Sequence, residues 1–476
     1  MITYPSHKPD SHFIFLSGVF LTFLVIAVIT SFYWLGVVPF AILFFYSGWQ
    51  QWRFVFFLLI FSLPWSVEYN FNSSLGTDLP DEPLMLLTTV LLVAHFLLKP
   101  LKALSSWKHP LIFLLFIYFG WIIIILPFST DWLLSLKFFL AKGWYLAAFV
   151  LAPLLIFRNK KSIQATALTL LISMLLLTLL TLYRHSTLGF RFANINSAVK
   201  PFFRNHVNYS AMLVCTIPVL VAAYQLNKKY RLIIGSSIII VLAALFFSYS
   251  RGAWVALIVG FISYWLINKK KLFFVFVCSV LFILGAVFWI KSNDRYLRYA
   301  HDYRTTIFHK NFQQHLIATY RLKDVSTAER FNRWIAGVRM IRDNWLTGYG
   351  PNTFYYNYKP YTIPAFKTWV SDNKEHSTVH NYFLLTIIEQ GIPGLLFFLL
   401  LTGAMLYYSE KIYLRVRDQF YKATAKACGI MIMMIMVVNF LSDLIETDKV
   451  GSLFFLCLAT LVAVDINSKN EIKNVS

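Results

Sequence analysis

Apolar runs of membrane-spanning length recur along the whole chain, separated by short polar connectors. A run of roughly 20 residues crosses the hydrocarbon core of a bilayer as a helix, because unpaired peptide groups find no water there. The pattern predicts an all-α polytopic integral membrane protein with 12 to 14 transmembrane helices, the lower count applying if 35–49 and 54–66 form a re-entrant pair. The predicted spans are 13–33, 35–49, 54–66, 83–99, 110–127, 139–157, 163–183, 207–225, 231–248, 252–267, 272–290, 381–408, 425–441 and 451–466.

Short basic connectors at 158–161, 228–231 and 268–271 alternate so that they share one side of the membrane. The excess of lysine and arginine in short loops marks the cytoplasmic side, which then also holds both termini. The predicted division is into N-terminal transmembrane helices (1–200), core helices (201–290), a large periplasmic loop with amphipathic helices (291–380) and C-terminal helices (381–476).

Composition supports the membrane interpretation. The chain has 476 residues, of which 58% are hydrophobic and only 13% charged, about half the charge of an average soluble protein. The first apolar run continues directly into another, so it is predicted to be a retained span. The four cysteines lie in apolar stretches without CxxC spacing, which indicates buried hydrophobic residues and neither disulfides nor a metal site.

The large loop is basic. Residues 292–379 contain thirteen Lys/Arg and seven Asp/Glu, a net charge of +6. Loops of this length escape the positive-inside rule, so the charge does not contradict the topology. It calls for an anionic partner, either lipid headgroups or a bound phosphate or pyrophosphate, and charge alone leaves both open. Nucleic acid is not an expected partner, because the loop is predicted to lie outside the cell.

One helix of this loop, about 327–343, is predicted in detail. Ser326 and Glu329 have the spacing of a capping box. The apolar positions follow the helical period, which predicts an amphipathic helix on the membrane surface or against the bundle. Helical geometry then turns Arg330 towards the membrane interior and Arg333 towards water, so Arg330 is the preferred ligand. The apolar positions are Phe331, Trp334, Ile335, Val338 and Ile341.

Signatures of soluble enzymes, such as a P-loop, a dinucleotide fingerprint or HExxH, do not occur in the sequence. Cationic residues instead gather at predicted outer ends of spans. Arg251 lies in a turn so short that it is held close to the bundle, while Arg204 and His206 open the span at 207. An interfacial anchor and a functional ligand are the two hypotheses for each.

The span after the large loop begins at His380, and Glu389 precedes a Gly/Pro break at 391–394. Carboxylates at membrane depth are usually functional or paired. Nine residues separate His380 from Glu389, which places them on opposite faces of a regular helix and argues against a dyad. Further acidic groups at the same predicted surface are expected to pair with the arginines: Asp81, Glu82, Asp443 and Glu446.

Several short motifs in fixed order resemble the O-antigen ligase/polymerase superfamily, most densely over about 200–410. They are Ser-Arg-Gly-Ala (250–253), Glu-Arg-Phe-Asn-Arg-Trp (329–334), Gly-Tyr-Gly-Pro-Asn-Thr-Phe (348–354), His-Asn-Tyr-Phe-Leu (380–384) and Glu-Gln-Gly-Ile-Pro-Gly (389–394). His380 and Gly391 fit the family's His and Gly positions. Arg330 fits its Arg position, but Trp334 stands where the family has Leu.

The resemblance implies a glycosyltransferase at the outer face of the bacterial inner membrane. Its donor would be a glycan on undecaprenyl pyrophosphate and its acceptor a hydroxyl of lipid A core, without metal or nucleotide cofactor. Arg251 and Arg330, with Arg204 as a third candidate, would bind the pyrophosphate. His380 would act as base or position the donor. Glu389, Glu82 and His206 are possible supporting residues.

Alternatives on the same sequence are an O-antigen polymerase, whose acceptor is another lipid-linked repeat unit, and a protein-glycosylating enzyme. Hypotheses from other classes are a lipid-linked oligosaccharide transporter and a non-enzymatic scaffold of envelope assembly. A transporter typically shows internal repeats and helices broken at the midplane, whereas the polar residues here gather at one surface.

Overall fold

A computed structural model describes residues 52–70, 76–98, 105–291, 325–363 and 378–475. The predicted spans 13–33 and 35–49 lie outside the described residues. The described helices are α1 (Trp52–Ser62), α2 (Asp81–Leu98), α3 (Pro110–Ile125), α4 (Trp132–Ile156, with a π-helical turn at Ala147–Leu151), α5 (Lys160–Thr187), α6 (Ile195–Val199), α7 (His206–Leu226), α8 (Arg231–Phe247), α9 (Arg251–Asn268), α10 (Leu272–Lys291), α11 (Val325–Asp343), α12 (Phe354–Asn357), α13 (Tyr382–Arg415), α14 (Gln419–Phe440) and α15 (Asp448–Val475).

The predicted all-α polytopic architecture is confirmed. Eight described helices are long and apolar enough to cross a membrane, and three shorter apolar helices accompany them. The total of 12 to 14 spans stays a prediction, since it depends partly on residues before 52. The eight candidate spans are Pro110–Phe128, Trp132–Ile156, Lys160–Thr187, His206–Leu226, Arg251–Asn268, Tyr382–Arg415, Gln419–Phe440 and Asp448–Glu471.

A small antiparallel sheet departs from the all-helical prediction. Strand β1 (Val67–Asn70) pairs with β2 (Gly76–Leu79), with Val67 opposite Leu79. Four residues per strand are too few to give a readable alternation of polar and apolar positions, so the sequence pattern did not predict the pair. The sheet lies at the start of α2 and carries Glu68 to the bundle surface.

Helices α14 and α15 form the centre of the bundle. Their apolar windows are 83% and 89% buried, and α14 packs against α7, α9, α13 and α15. A helix that is apolar on all sides is buried on all sides. The periphery is apolar but exposed, as shown by Leu232 of α8 (85% exposed), Phe261 of α9 (67%) and Phe282 of α10 (78%). Such side chains on a polytopic protein face lipid.

The polar segments collect at two opposite ends of the bundle. We call one the loop end, which comprises 63–70, 76–81, 126–131, 188–206, 248–251, 344–363, 378–381 and 441–447. Contacts between its segments join distant parts of the chain: the backbone N–H of Thr130 donates to the Tyr349 carbonyl (2.9 Å), and the Tyr249 hydroxyl donates to the Phe190 carbonyl (2.6 Å). Segments predicted to share one side of the membrane therefore lie together.

We call the other the connector end, which comprises 105–109, 157–161, 227–231, 268–272, 415–419 and the last turns of α15. There Lys160 forms an ion pair with Asp418 (2.9 Å), and Tyr413 donates to Asn268 (2.7 Å). The basic connectors that alternate in sequence thus occupy one end, as the topology prediction requires.

The amphipathic helix of the large loop exists as α11, but its buried face differs from the prediction. Ala336 and Met340 are fully buried, and a Cβ at Gly337 would lie 2.6 Å from Ile388 of α13. The helix thus packs on protein through small residues. Arg333, predicted to face water, is only 4% exposed. That prediction is wrong because the apolar period alone did not reveal the polar partners that accompany Arg333 into the interior.

The predicted Gly/Pro break in the span after the loop is also present. Gly391 has φ +71° within α13, a conformation that favours glycine. A Cβ at this position would lie 1.9 Å from the Leu346 carbonyl oxygen. The break lets the loop segment 345–350 dock: the backbone N–H of Ile392 donates to the Trp345 carbonyl and that of Tyr349 to the Ile388 carbonyl, both at 2.9 Å.

Replacing Gly391 by alanine should destabilise the protein. The positive φ costs about 1–3 kcal/mol for a non-glycine residue, and the clash with Leu346 adds to it. We expect a lower thermal midpoint of unfolding in detergent. Gly403→Ala in the same helix is the matched control, because its Cβ would meet its nearest atoms, of Phe273 and Phe276, at an ordinary 3.5 Å. Equal midpoints for the two variants would contradict the described kink.

Candidate functional site

Arg333 of α11 attaches this helix to the chain that enters α13. Its guanidinium donates to the Thr378 carbonyl (3.0 Å) and to the Glu329 carboxylate (3.3 Å), four residues earlier on the same helix. The Trp334 indole donates to the Val379 carbonyl (3.0 Å) beside it. These bonds fix segment 378–380 against α11, which places His380 next to the arginines of that helix.

His380 lies at a strained point of the backbone, with φ +53°. Its position is fixed from both sides. Its N–H donates to the Thr378 hydroxyl (3.3 Å), and the N–H of Tyr382 donates to the Ser442 carbonyl (2.9 Å). His380 Nδ1 then lies 3.9 Å from Asp443 Oδ1, and the imidazole keeps 38% of its side-chain surface exposed. The ring is therefore reachable from the surface while its backbone is held.

The charges around His380 favour a neutral ring. Burial, and then the positive charges of Arg333 and Arg330, lower the pKa of His380 well below its ordinary value. Burial raises the pKa of the Asp443 carboxyl, although Thr378 and the charge of Arg204 oppose this. The imidazole at neutral pH is thus an uncharged proton acceptor beside cations.

Arg204, on another segment, acts electrostatically on Asp443 beside His380. Its guanidinium binds the Glu68 carboxylate of β1 in bidentate fashion, with Nε–Oε2 at 2.6 Å and Nη2–Oε1 at 2.8 Å. The Arg204 side chain is 70% exposed, so the pair holds its orientation without burying it. The acidic partners named from the sequence did not include Glu68.

Arg251 begins α9 beside the same segment. The next residue, Gly252, would place a Cβ 3.7 Å from Leu441, which immediately precedes Ser442 and Asp443. The backbone of Arg251 is therefore close to the chain that supports His380. Arg330 thus acts electrostatically on His380, Arg204 acts on the neighbouring Asp443, and Arg251 lies at the adjoining helix start. We call these four residues the basic site.

Two lysines that sequence reasoning missed assemble the loop end. Lys449 donates to the carbonyls of Pro64 (3.2 Å), Ser66 (2.9 Å) and Phe202 (2.7 Å). Those carbonyls belong to the segments that carry Glu68 and Arg204. Lys142 forms a 2.7 Å ion pair with Glu446. Lys142 interrupts an apolar span, and a charge at membrane depth is the sequence signal that would have found it. Lys449 lies in the first turn of α15, where the sequence gives no such signal.

Glu389 holds the loop rather than facing the basic site. Both carboxylate oxygens accept backbone N–H groups, from Asn352 (2.9 Å) and from Phe354 (3.1 Å), and the residue is 5% exposed. A Cβ at Gly348, which has φ +71°, would lie 2.5 Å from the Glu389 carbonyl carbon. Among the contacts described, Glu389 and His380 share none, in keeping with the prediction that they are not a dyad.

Glu82 and His206 each form hydrogen bonds with a residue close to them in the sequence. Glu82 accepts a hydrogen bond from the Thr77 hydroxyl (2.5 Å) and so joins α2 to β2. His206 Nδ1 lies 2.9 Å from Asn196 Oδ1, which also accepts the His206 backbone N–H (2.9 Å). Within the described ranges, no group of three or more His, Cys, Asp or Glu side chains is arranged to hold a metal ion. The chemistry of the basic site is suited to anions, because it combines guanidinium groups with a neutral imidazole.

Lys449→Met should destabilise the loop end. Three backbone carbonyls lose their donor together, at a cost of roughly 1–3 kcal/mol for each unsatisfied group. We expect a clearly lower thermal midpoint in detergent. Lys411→Met is the control, because Lys411 is exposed and lies only over the rings of Tyr407 and Tyr408 (5.4 Å each). Equal midpoints for both variants would show that Lys449 does not hold these segments together.

The comparisons with known proteins agree with the motifs. Residues 236–399 match the family model described as O-Antigen ligase, a range that contains Arg251, Arg330 and His380 but not Arg204. A search of the curated proteins finds no match. The family match supports a membrane glycosyltransferase of the O-antigen ligase/polymerase type, with lipid-linked glycan and lipid A core as its general partners. The match over residues 236–399 supports a relationship of this part of the chain to the O-antigen ligase superfamily.

Proposed function

We propose that the protein transfers a glycan from undecaprenyl pyrophosphate to an acceptor hydroxyl, with O-antigen ligation to lipid A core as the reaction. The loop end would face the periplasm of a bacterium, and the connector end, with both termini, would face the cytoplasm. The observation that supports the proposal is the basic site, in which Arg330 acts on His380 and Arg204 on the adjacent Asp443, with Arg251 at a nearby helix start.

The donor's leaving group explains the cations. When the glycosidic bond to the pyrophosphate breaks, negative charge develops on the phosphate oxygens. Guanidinium groups bind such oxygens through two parallel hydrogen bonds and stay charged at all relevant pH values. Preorganised donors aimed at developing charge are usually the largest single contribution to catalysis. Arg251 and Arg330 would bind the pyrophosphate, with Arg204 as a third ligand at the exposed edge. These residues would do so without metal or nucleotide.

His380 would accept the proton of the attacking hydroxyl. Its ring is uncharged and partly exposed, which a general base requires. The low pKa makes it a weak base while Arg330 and Arg333 act on it. A bound pyrophosphate offsets those positive charges, so the pKa of His380 would rise towards its ordinary value when the donor is in place. The base would thus become effective in the donor complex.

Arg251→Ala and His380→Ala should each abolish transfer in a purified system with donor and acceptor in detergent. Loss of a charge-stabilising donor typically costs about 10²–10³ in rate, and loss of a general base about 10²–10⁴. The measurement is product formed per unit of purified protein. Arg342→Ala is the matched control, because Arg342 lies on α11 but is exposed at its last turn.

Membrane levels of each variant should equal those of the unmodified protein, so that a lost activity is not lost protein. Full activity of Arg251→Ala or of His380→Ala would remove that residue from the mechanism. Because detergent leaves no compartments, transfer under these conditions would also exclude a purely transport role. Inactivity of the unmodified protein with several donor–acceptor pairs would favour a scaffold instead.

The second candidate is an O-antigen polymerase, since the matched family supports both types of transfer. The two differ in acceptor, and the glycans of a deletion strain separate them. If the protein is a ligase, we expect full-length polymer to remain on the lipid carrier and to be missing from lipid A core. Single repeat units in that strain would establish the polymerase, and unchanged lipopolysaccharide with an unglycosylated protein would indicate a protein acceptor.

A further inference from the structure

A polar cleft of about 480 Å³ lies at the connector end, away from the basic site. It is formed where α4 ends and α5 begins, against the start of α14 and the last turns of α15. Its lining includes Arg158, Lys160, Lys161, Tyr421 and Glu471. The proposed transfer reaction uses none of these residues.

One of the three cations is neutralised within the protein. Lys160 Nζ lies 2.9 Å from the Asp418 carboxylate, 3.1 Å from that of Glu471 and 4.9 Å from the centre of the Tyr421 ring. The Tyr421 hydroxyl donates to the same Glu471 carboxylate (3.2 Å). Both acidic groups are thus already bound, and of the two Glu471 lines the cleft.

The other two cations have no such partner. The Arg158 and Lys161 side chains are exposed, and neither forms an ion pair with any residue that the structure describes. Between them, Asn159 caps the 28-residue helix α5 by accepting the N–H of Ser162 (2.9 Å). The positive end of the α5 dipole therefore points to the same place as the two side chains. The two side chains and the helix dipole all favour the binding of an anion there.

An apolar stripe lies along α5 beyond Gln164, which is exposed between the cleft and the stripe. Leu168 (58% exposed), Ile172 (45%), Leu176 (47%) and Leu179 (44%) follow Lys161 at helical spacing on one face. At 1.5 Å per residue, the stripe from Leu168 to Leu179 is about 16 Å long, close to half the thickness of a hydrocarbon core. The surface therefore combines a cleft that can bind an anionic headgroup with an apolar stripe about as long as one leaflet is thick.

We propose that this cleft binds an anionic phospholipid, with its phosphate between Arg158 and Lys161 and its acyl chains along the exposed stripe of α5. Anionic headgroups are drawn to basic clusters at the cytoplasmic ends of membrane helices. A free phosphate shares the charge but not the chains, and the continuous stripe favours the lipid. The lipid would lie where the ion pair of Lys160 and Glu471 joins the α4–α5 connection to the end of α15.

The test measures lipid that stays bound to purified protein, by native mass spectrometry after adding phosphatidylglycerol or phosphatidylcholine. The double variant Arg158→Gln/Lys161→Gln should retain about ten-fold less phosphatidylglycerol than the unmodified protein, because both attractive charges are removed. Retention of phosphatidylcholine should not change. Lys228→Gln/Lys229→Gln removes the same charge from an exposed connector at the same end and should keep normal retention.

Two outcomes would overturn the proposal. An equal loss of phosphatidylglycerol in both double variants would mean general attraction of a basic surface rather than a site. Displacement of the lipid by glycerol phosphate or inorganic phosphate at equal concentration would mean that the cleft binds a free phosphate. Both variants change exposed side chains, so unchanged elution in gel filtration verifies the fold, and a failure of the transfer reaction has no bearing on the result.

Discussion

The buried guanidinium of Arg333 is the interaction on which the site depends most. A charge taken out of water is unfavourable unless it is paired and hydrogen-bonded, and Arg333 finds both kinds of partner in Glu329 and the Thr378 carbonyl. The same bonds tie α11 to the chain entering α13. Arg330, three residues earlier, is thereby kept beside His380. A residue that need not touch substrate thus positions two that are proposed to do so.

Elsewhere at this end of the bundle, Lys449 and Glu389 bind backbone groups that would otherwise lack hydrogen-bond partners. Segments that cross the helix ends carry peptide groups that no helix or sheet satisfies. Lys449 gives its three donors to three such carbonyls, and Glu389 gives its two oxygens to two such N–H groups. Each places its polar atoms among backbone groups that would otherwise lack partners, and this orders the loops. The bond from Lys449 to the Phe202 carbonyl orders the segment that carries Arg204 of the basic site.

The two ends of the bundle differ in how their charges are arranged. At the loop end, Arg333 and Arg330 act on the imidazole of His380, and Glu68 holds the guanidinium of Arg204. At the connector end, Lys160 is neutralised by Asp418 and Glu471. Only the side chains of Arg158 and Lys161 in the cleft there lack an acidic partner among the described residues. In the proposed function the first arrangement serves a transferable pyrophosphate and the second a resident lipid.

The sequence by itself determined the membrane architecture, because the length and apolarity of a span follow from bilayer thickness and from the cost of unpaired peptide groups. It also located α11, the break at Gly391 and the family motifs around Arg251, Arg330 and His380. The sequence did not predict the short strands β1 and β2. Tertiary structure alone decided that Arg333 is buried, that Glu68 holds Arg204 and that Lys449 joins three carbonyls. Apart from Glu329, which lies on the same helix as Arg333, the partners are far along the chain or on another element, and helical periodicity describes one helix at a time.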